Sequence, residues 1–309
     1  MTLQQLEYIV ALDNERHYVT AADKCHVSQP NLTMQIRKLE DELGVQLFNR
    51  DVKPLEPTEI GAIIISKARQ VLRESHSIKE YVSSDRSSVK GEFQIGIIPT
   101  LAPYLLPLFL PEFTKLHPET KLLIREMQTS DIINALDNGK LDLGLLVTPL
   151  QERSIREIPL FYEPFLLFLP LNHSLQKLTS ITTKDLNAQE MLVLEEGHCF
   201  REQALAICKD RRSKIKEGFE FQSGSIEALK GLVRKGMGYT MVPELSVLED
   251  LDQANIRRFD SPEPVREVSI AVHNSFTKES LADGIRNSIL NAIPDRFKKV
   301  EHFMRVEWR

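Results

Sequence analysis

The sequence predicts an α/β chain in two parts: a small helical N-terminal unit closed by a hairpin and a long helix, then a larger unit of alternating strands and helices. Three observations carry this. Apolar residues recur at helical spacing through the first eighty residues. A polar run, Ser83-Ser84-Asp85-Arg86-Ser87-Ser88, then breaks the pattern and reads as a hinge. Beyond it, short apolar stretches of period two alternate with helical ones, as crossovers on a parallel sheet require. At 309 residues, 42% hydrophobic and 27% charged, the chain can bury more than one core. Three cysteines, Cys25, Cys199 and Cys208, exclude a secreted disulfide scaffold and fit a reducing cytoplasm. Met1 to Gln5 shows no signal peptide, and no apolar run approaches the ~18 residues that span a bilayer. A cytoplasmic protein with no membrane partner is expected.

The first helix follows from Leu3, Leu6, Ile9, Val10 and Leu12. Thr20 is positioned to cap a short second helix, Ala21 to Lys24, and Cys25-His26-Val27 reads as a tight turn. Ser28 then caps a third helix with Pro30 in its first turn, where a missing N–H costs nothing. Leu32, Ile36, Leu39 and Leu43 form its buried face and Gly44 its C-cap. Two short helices joined by a turn, the second polar at its start, make a helix-turn-helix. Its outer face offers Gln29, Asn31, Thr33, Met34, Gln35 and Lys38; amides and hydroxyls suit base edges, and lysine suits phosphate. Val45 to Thr58, with Arg50, Lys53 and Pro54, reads as a small hairpin, a wing. The candidate DNA-contacting set is therefore Ser28, Gln29, Pro30, Asn31, Thr33, Lys38, Arg50 and Lys53. A plain helical bundle is the simpler reading. The charge count argues against DNA contacts, since residues 1 to 58 hold six Lys/Arg against nine Asp/Glu, a net of −3 that offers few phosphate contacts. The bases do gather on the third helix and the wing, and dimerisation would double that footprint.

Thr58 caps a long helix from Glu59 to about Ser83, in which Ile64, Ala68, Val71, Ser75, Ile78 and Val82 recur at steps of four and three. So narrow a seam predicts pairing with a second copy; packing on its own domain is the alternative. The domain bounds expected are 1–58, a linker helix and hinge at 59–90, and 91–309. In the last part, strands are expected at Phe93–Ile97, Lys121–Met127 and Leu143–Val147, with helices at Leu101–Leu116 and from Thr129 to Gly139. The pattern restarts at Phe165–Leu169 and runs through Met191–Leu194, Ser225–Lys235 and Tyr239–Val242, and Val268–Val272 returns to the first half. That is a two-lobed α/β unit, lobe I about 91–162 and 268–309, lobe II about 163–267, with a cleft between. Thr100 and Thr129 both follow strands at the edge where such sheets bind ligands, and both are equally plain helix caps.

The most distinctive stretch is Glu195-Glu196-Gly197-His198-Cys199, followed by helix formers from Phe200 to Lys209. A thiol at a helix start, beside an imidazole, is expected to favour its thiolate. Cys208 lies nine positions on, about 13–14 Å away along a continuous helix. Disulfide geometry needs Cα atoms within about 7 Å, so the two can bond only if the helix unwinds. Inert buried filler is the commoner role for a cytosolic cysteine, and the stretch alone leaves that open. A closed zinc site would need a fourth ligand beside His198, Cys199 and Cys208, so neither metal nor cofactor is expected.

Several motifs together resemble a known family. Ala21-Ala22, Cys25-His26-Val27-Ser28-Gln29-Pro30, Gln35 to Gly44, Leu47-Phe48 and Thr58-Glu59-Ile60-Gly61 are similar to the LysR-type transcriptional regulators. Within that family, Ile98-Pro99-Thr100, Tyr104-Leu105-Leu106-Pro107, Gln128-Thr129, Gly139-Lys140-Leu141-Asp142 and Glu196-Gly197-His198-Cys199 resemble the peroxide-sensing branch. The likeness covers nearly the whole chain and weakens after Phe297; the wing, Asp51-Val52-Lys53-Pro54, is poorer in bases than the family pattern. The resemblance implies a winged helix-turn-helix, a linker helix and a periplasmic-binding-protein-like two-lobed regulatory domain. It implies double-stranded promoter DNA, hydrogen peroxide and a second or fourth copy of the chain as partners, with RNA polymerase and a glutaredoxin- or thioredoxin-type reductant beside them. It implies a Cys199–Cys208 disulfide switch, with Thr100, Thr129, His198 and Arg266 holding peroxide or supporting the thiolate, Arg266 lying just before the last strand. The chain is then a regulator and not an enzyme. Two alternatives stand beside it: a regulator that binds a small inducer in the cleft and ignores peroxide, and a thiol peroxidase, which would leave the first ninety residues without a task.

Overall fold

The computed structural model describes residues 1–82, 89–208, 223–250, 254–299 and 303–307. Contacts divide it into two units, Met1–Arg86 with Asp137–Lys140 and Ser275–Thr277, and the remainder. The expected hinge, 83–88, lies outside the described residues.

In the first unit, α1 (Leu3–Glu15) opens on a capping box: Thr2 accepts the N–H of Gln5, and the Gln5 side chain accepts the N–H of Thr2. Next, α2 (Tyr18–Lys24) starts three residues earlier than expected, with His17 at the cap. Thr20 is inside the helix, its hydroxyl donating back to the carbonyl of His17. An internal threonine satisfies itself this way as readily as it caps. Helix α3 (Gln29–Leu43) has Ser28 at its N-cap and Gly44 at its C-cap, where φ is +70° and the glycine N–H donates to the Glu40 carbonyl. The hairpin is a short antiparallel pair, β1 (Phe48–Asn49) with β2 (Glu56–Pro57).

Thr58 caps α4 (Glu59–Val82) by accepting the N–H of Gly61 at 2.9 Å. Leu6, Ile9, Leu12, Ala21, Leu32, Ile36, Leu39, Leu47, Phe48, Ile65 and Ala68 make one core, with Ile64 packed at its margin. Each large aliphatic group buried there contributes about 1.5–3 kcal/mol. The seam therefore divides: Ile64 and Ala68 face their own domain, while Val71 and Ile78 stand exposed.

The second unit is built on one sheet in the order β4-β3-β5-β10-β6-β8-β7, with β11 beside β10 and β9 beside β6. Strand β3 (Gly91–Ile97) lies parallel between β4 (Thr120–Glu126) and β5 (Leu143–Thr148). The crossovers are α5 (Ala102–Leu116) and α6 (Thr129–Asp137). Strand β6 (Ile155–Phe168) is a single 14-residue strand, beginning ten residues before the expected restart at Phe165. Its stretch Ile155–Pro164 pairs with β10 and its last residues, Phe165–Phe168, with β8 and β9, so one continuous strand replaces a loop and a fresh start. Then come β7 (Met191–Leu192), α7 (Cys199–Cys208), α8 (Ile226–Arg234), β8 (Tyr239–Pro243) and β9 (Ile256–Arg258). The chain closes with β10 (Glu263–His273), α9 (Glu279–Ala292) and β11 (Phe303–Arg305). Because β10 starts at Glu263, Arg266 is inside the strand and fully buried, neither ahead of it nor on the surface. Among the described residues, no helix is long and apolar enough to cross a membrane.

Buried Glu40 ties α3 to the wing: it accepts the N–H of Leu47 at 2.8 Å and pairs with Arg50. Glu40→Ala strands that N–H and is expected to lower the unfolding free energy of the N-terminal unit by about 1–3 kcal/mol, read by denaturant melts. Glu40→Gln, which keeps an acceptor, loses less.

A buried thiol and its contacts

Four elements converge on the first turn of α7. Cys199 is the first residue of that helix, one earlier than the sequence suggests, and only 3% exposed. The turn before it requires Gly197: its φ is +93°, and a Cβ there would stand 2.6 Å from the Gln128 side-chain oxygen. From the start of α6, the Thr129 hydroxyl hydrogen-bonds the Cys199 sulfur. From β10 comes Arg266. Its Nη1 donates to Thr100 Oγ1 at 2.9 Å, its Nη2 to the Thr100 carbonyl at 3.1 Å, and its Nε to Glu163 Oε2 at 2.8 Å. Glu163, on β6, also accepts the N–H of Leu245 at 2.9 Å. The guanidinium lies 5.5 Å from the centre of the Phe200 ring.

Burial dominates the electrostatics here. It pushes the Cys199 thiol above its ordinary range; Arg266, the Thr129 hydroxyl and the helix-start N–H groups of Phe200 and Cys199 pull the other way and do not win. The depressed thiol that the helix start and imidazole suggest is thus overruled by desolvation, and at rest the group is protonated. His198 is buried, but its Nε2 faces Glu195 Oε1 at 3.5 Å, and its ring packs so closely on Gly224 that a Cβ there would come within 2.7 Å. The cation acting on the sulfur is Arg266. The structure thus gathers Thr100, Thr129, Cys199 and Arg266 and sets His198 at their edge, in the wall of a cavity of about 660 Å³. Glu126, Asp131, Glu195 and Glu227 also line that cavity. Tyr104, which donates to Glu227 at 3.0 Å, lines it too and is pushed up by burial and then by that carboxylate.

Cys208 ends α7. It is buried in the core beside Tyr239, with its sulfur 3.6 Å from Met191 Sδ. All three cysteines are thiols. Nine residue steps along an intact helix keep the α7 pair about 13–14 Å apart along the axis. Lys209 and the residues to 222 lie outside the described residues.

In the first unit, Ser28, Gln29, Pro30, Lys38 and Lys53 are exposed, while Asn31 and Thr33 are half-buried. The Thr33 hydroxyl donates to the Gln29 carbonyl at 2.9 Å. Arg50 is engaged by Glu40. Among the described residues, no group of three or more His, Cys, Asp or Glu is placed to hold a metal.

Sequence reasoning missed Glu163 and Gln203. Glu163 had a signal, a lone carboxylate inside the run Leu160-Phe161-Tyr162-Glu163-Pro164-Phe165-Leu166. A charge in an apolar run that becomes a strand needs a buried partner. Gln203 had none, since a glutamine in a helix is ordinary.

Cys199 alkylation by neutral iodoacetamide should keep rising with pH beyond about 8.5, the free-thiol value. With Arg266→Met, made alongside Glu163→Gln so that no carboxylate is stranded, the profile should move further up. The rate at pH 7 should fall roughly tenfold or more. A profile at or below the wild type's would mean that the guanidinium does not act on the sulfur.

Two family models match the chain: a bacterial regulatory helix-turn-helix protein of the lysR family over residues 3–62, and a LysR substrate binding domain over residues 86–289. A hydrogen peroxide-inducible genes activator from Pectobacterium carotovorum is 37% identical over 292 residues, 93% of this chain and 96% of that protein. The DNA-binding transcriptional dual regulator OxyR of Escherichia coli is 36% identical over 302 residues, 97% of this chain and 98% of that one. Among solved structures, a full-length OxyR from Pseudomonas aeruginosa with a cysteine-to-aspartate change superposes with a TM-score of 0.83. It shows 33% identity and covers 95% of this chain and 99% of its own. A cysteine-to-serine OxyR from Corynebacterium glutamicum, bound to hydrogen peroxide, gives a TM-score of 0.62 at 26% identity, with 94% and 92% covered.

Proposed function

The chain belongs to the LysR family of bacterial helix-turn-helix regulators, and from that premise we propose that it is a DNA-binding transcriptional regulator switched by hydrogen peroxide at Cys199. The observation that carries this reading is the pairing of two buried thiols at opposite ends of one short helix, the first hydrogen-bonded by Thr129 and within the field of Arg266. Peroxide fits so confined a site because it is small and neutral. Once deprotonated, the Cys199 sulfur attacks one peroxide oxygen, the O–O bond breaks, and the departing hydroxide takes a proton to leave as water. The product is a sulfenic acid. The Cys208 thiolate then displaces the sulfenic hydroxyl as a second water, closing the disulfide. One peroxide is reduced and two thiols are oxidised. Thr100 and Thr129 hold the peroxide, and Arg266 stabilises developing negative charge.

Forming the disulfide requires α7 to unwind, because its ends lie beyond bonding distance. The unwinding changes how the two lobes of the regulatory domain, residues 91–309, present themselves to a partner copy, and so changes the spacing of the wings on DNA. Domain bounds of 1–58 for the winged unit and 59–90 for the linker helix follow the same reading. The exposed Val71 and Ile78 of α4 are the surface for that second copy. A thioredoxin- or glutaredoxin-type reductant returns the switch to its resting state, and RNA polymerase receives its output. A disulfide that rests reduced must have a potential above the glutathione poise of about −220 to −260 mV. A second reading, a small inducer in the cleft with peroxide ignored, is favoured by the cavity of about 660 Å³ lined by four carboxylates.

The mass of the 199–208 peptide after one equivalent of peroxide separates the two. Loss of two hydrogens supports the switch, and an unchanged mass supports the inducer. Cys199→Ser should abolish peroxide-dependent transcription. Cys208→Ser should leave a sulfenate at Cys199 that a dimedone-type reagent traps. A Cys199→Ser protein still activated by peroxide would sink the switch.

On DNA, Gln29→Ala should reduce discrimination between operator and random sequence. Lys38→Ala should weaken both about equally and flatten the salt slope by roughly one unit per contact in each monomer. Equal loss of specificity from both substitutions would mean that α3 is not in the major groove.

A further inference from the structure

Gln203 is the one polar residue of α7 that is completely buried, and it points at the end of the chain. Its Nε2 donates to the Val306 carbonyl at 2.7 Å, while its Oε1, equally buried, has no hydrogen-bond partner among the described residues. A buried amide with half its capacity unmet stabilises the core no better than leucine would. What it does is tie α7 to one strand. That strand, β11, lies parallel beside β10 with Val265 opposite Arg305, and the Val306 N–H donates to the Val265 carbonyl at 2.9 Å. Arg305 pairs with Glu267 at 3.0 Å. Val306 shares a core with Phe200, Ala204, Ile207 and Cys208. The residue after Val265 is Arg266, which holds Thr100. One short strand is therefore gripped from both sides, by the residues flanking Arg266 and by the middle of the helix that starts with Cys199.

We infer that the Gln203–Val306 bond is a latch, with Gln203 a positioning residue that keeps α7 helical in the reduced protein and sets the rate of the refolding that brings Cys208 to Cys199. This rests on the reading that the disulfide forms by unwinding α7. Gln203 is four residues from one cysteine and five from the other. Unwinding that runs through the middle of α7, so that about 13–14 Å shortens to less than about 7 Å, carries Gln203 away from Val306. The last residues of the chain thereby act as a brake on the second step and are idle in the first.

Two variants of the full-length protein test this. Gln203→Leu removes the donor and keeps β11; a chain ending at residue 302 removes β11 and its carbonyl. Amide exchange of the reduced proteins reads the latch without any oxidant, and quenched mass analysis after peroxide separates sulfenate from disulfide. In Gln203→Leu we expect α7 amides to exchange roughly three- to tenfold faster and the disulfide to close faster by a similar factor, as loss of one buried hydrogen bond allows. The shortened chain, which also loses the β11 pairing and the Arg305–Glu267 ion pair, should show at least as large a change. Sulfenate formation at Cys199 and exchange in β3 should stay within about twofold of wild type. If α7 exchange and disulfide closure in Gln203→Leu match the wild type, the latch is wrong. It is equally wrong if β3 loosens along with α7, since that marks general destabilisation. A wild-type protein that forms no disulfide overturns the switch, whereas faster α7 exchange in the variants still supports the latch. Should the shortened chain fail to fold, Gln203→Leu decides alone.

Discussion

A guanidinium with no access to water organises the regulatory unit. Removing a charge from water costs several kcal/mol unless partners replace the lost solvation. Arg266 has them: a carboxylate on β6, a hydroxyl and a carbonyl in the turn after β3, and an aromatic face on α7. These partners come from three elements besides β10, so satisfying one ion fixes four pieces of the fold relative to one another. The anion that answers it is itself strained by burial: desolvation pushes the Glu163 carboxyl up, and Arg266 and the Leu245 N–H draw it back. Neither charge is tolerable alone, and a lost partner would be felt through the whole arrangement.

The same ion explains why the site holds a thiol that is quiet and yet primed. Full burial favours the neutral sulfhydryl, and the nearby cation and helix-start N–H groups favour the anion. Burial is the larger influence and shifts the group towards the neutral thiol. The opposing groups are already aimed at the charge that appears once a proton leaves. Glu126, Asp131, Glu195 and Glu227 line the neighbouring cavity beside His198, and their field bears on whatever enters it.

Much of this was legible from residue order. The third helix declared itself through Ser28, Pro30 and Gly44, and the long helix through Thr58 and its heptad spacing. Residue order points to Thr100, Thr129 and Cys199, and only the family resemblance to Arg266; the structure gathers them around the start of α7. What the sequence hid was long-range pairing. Strand β6 extends well before its most apolar stretch because β10 supplies a partner along its first half, and β10 in turn draws Arg266 inside. Thiol chemistry was misjudged for a related reason. Neighbours in sequence, His198 and the helix start, are visible in the chain, whereas desolvation depends on everything packed around the site. Glu163 and Gln203 belong to the same class, polar groups whose meaning lies in a carbonyl or cation about a hundred residues away.

The three thiols also differ in what can reach them. Cys25, in the turn of the helix-turn-helix, is half-buried, whereas Cys199 and Cys208 are enclosed. A bulky disulfide or maleimide added to the folded protein meets Cys25 first, so a conventional thiol titration reports on the helix-turn-helix unit and leaves Cys199 and Cys208 uncounted until the chain opens. Molecular size, as much as oxidising strength, then sorts one oxidant from another at this protein.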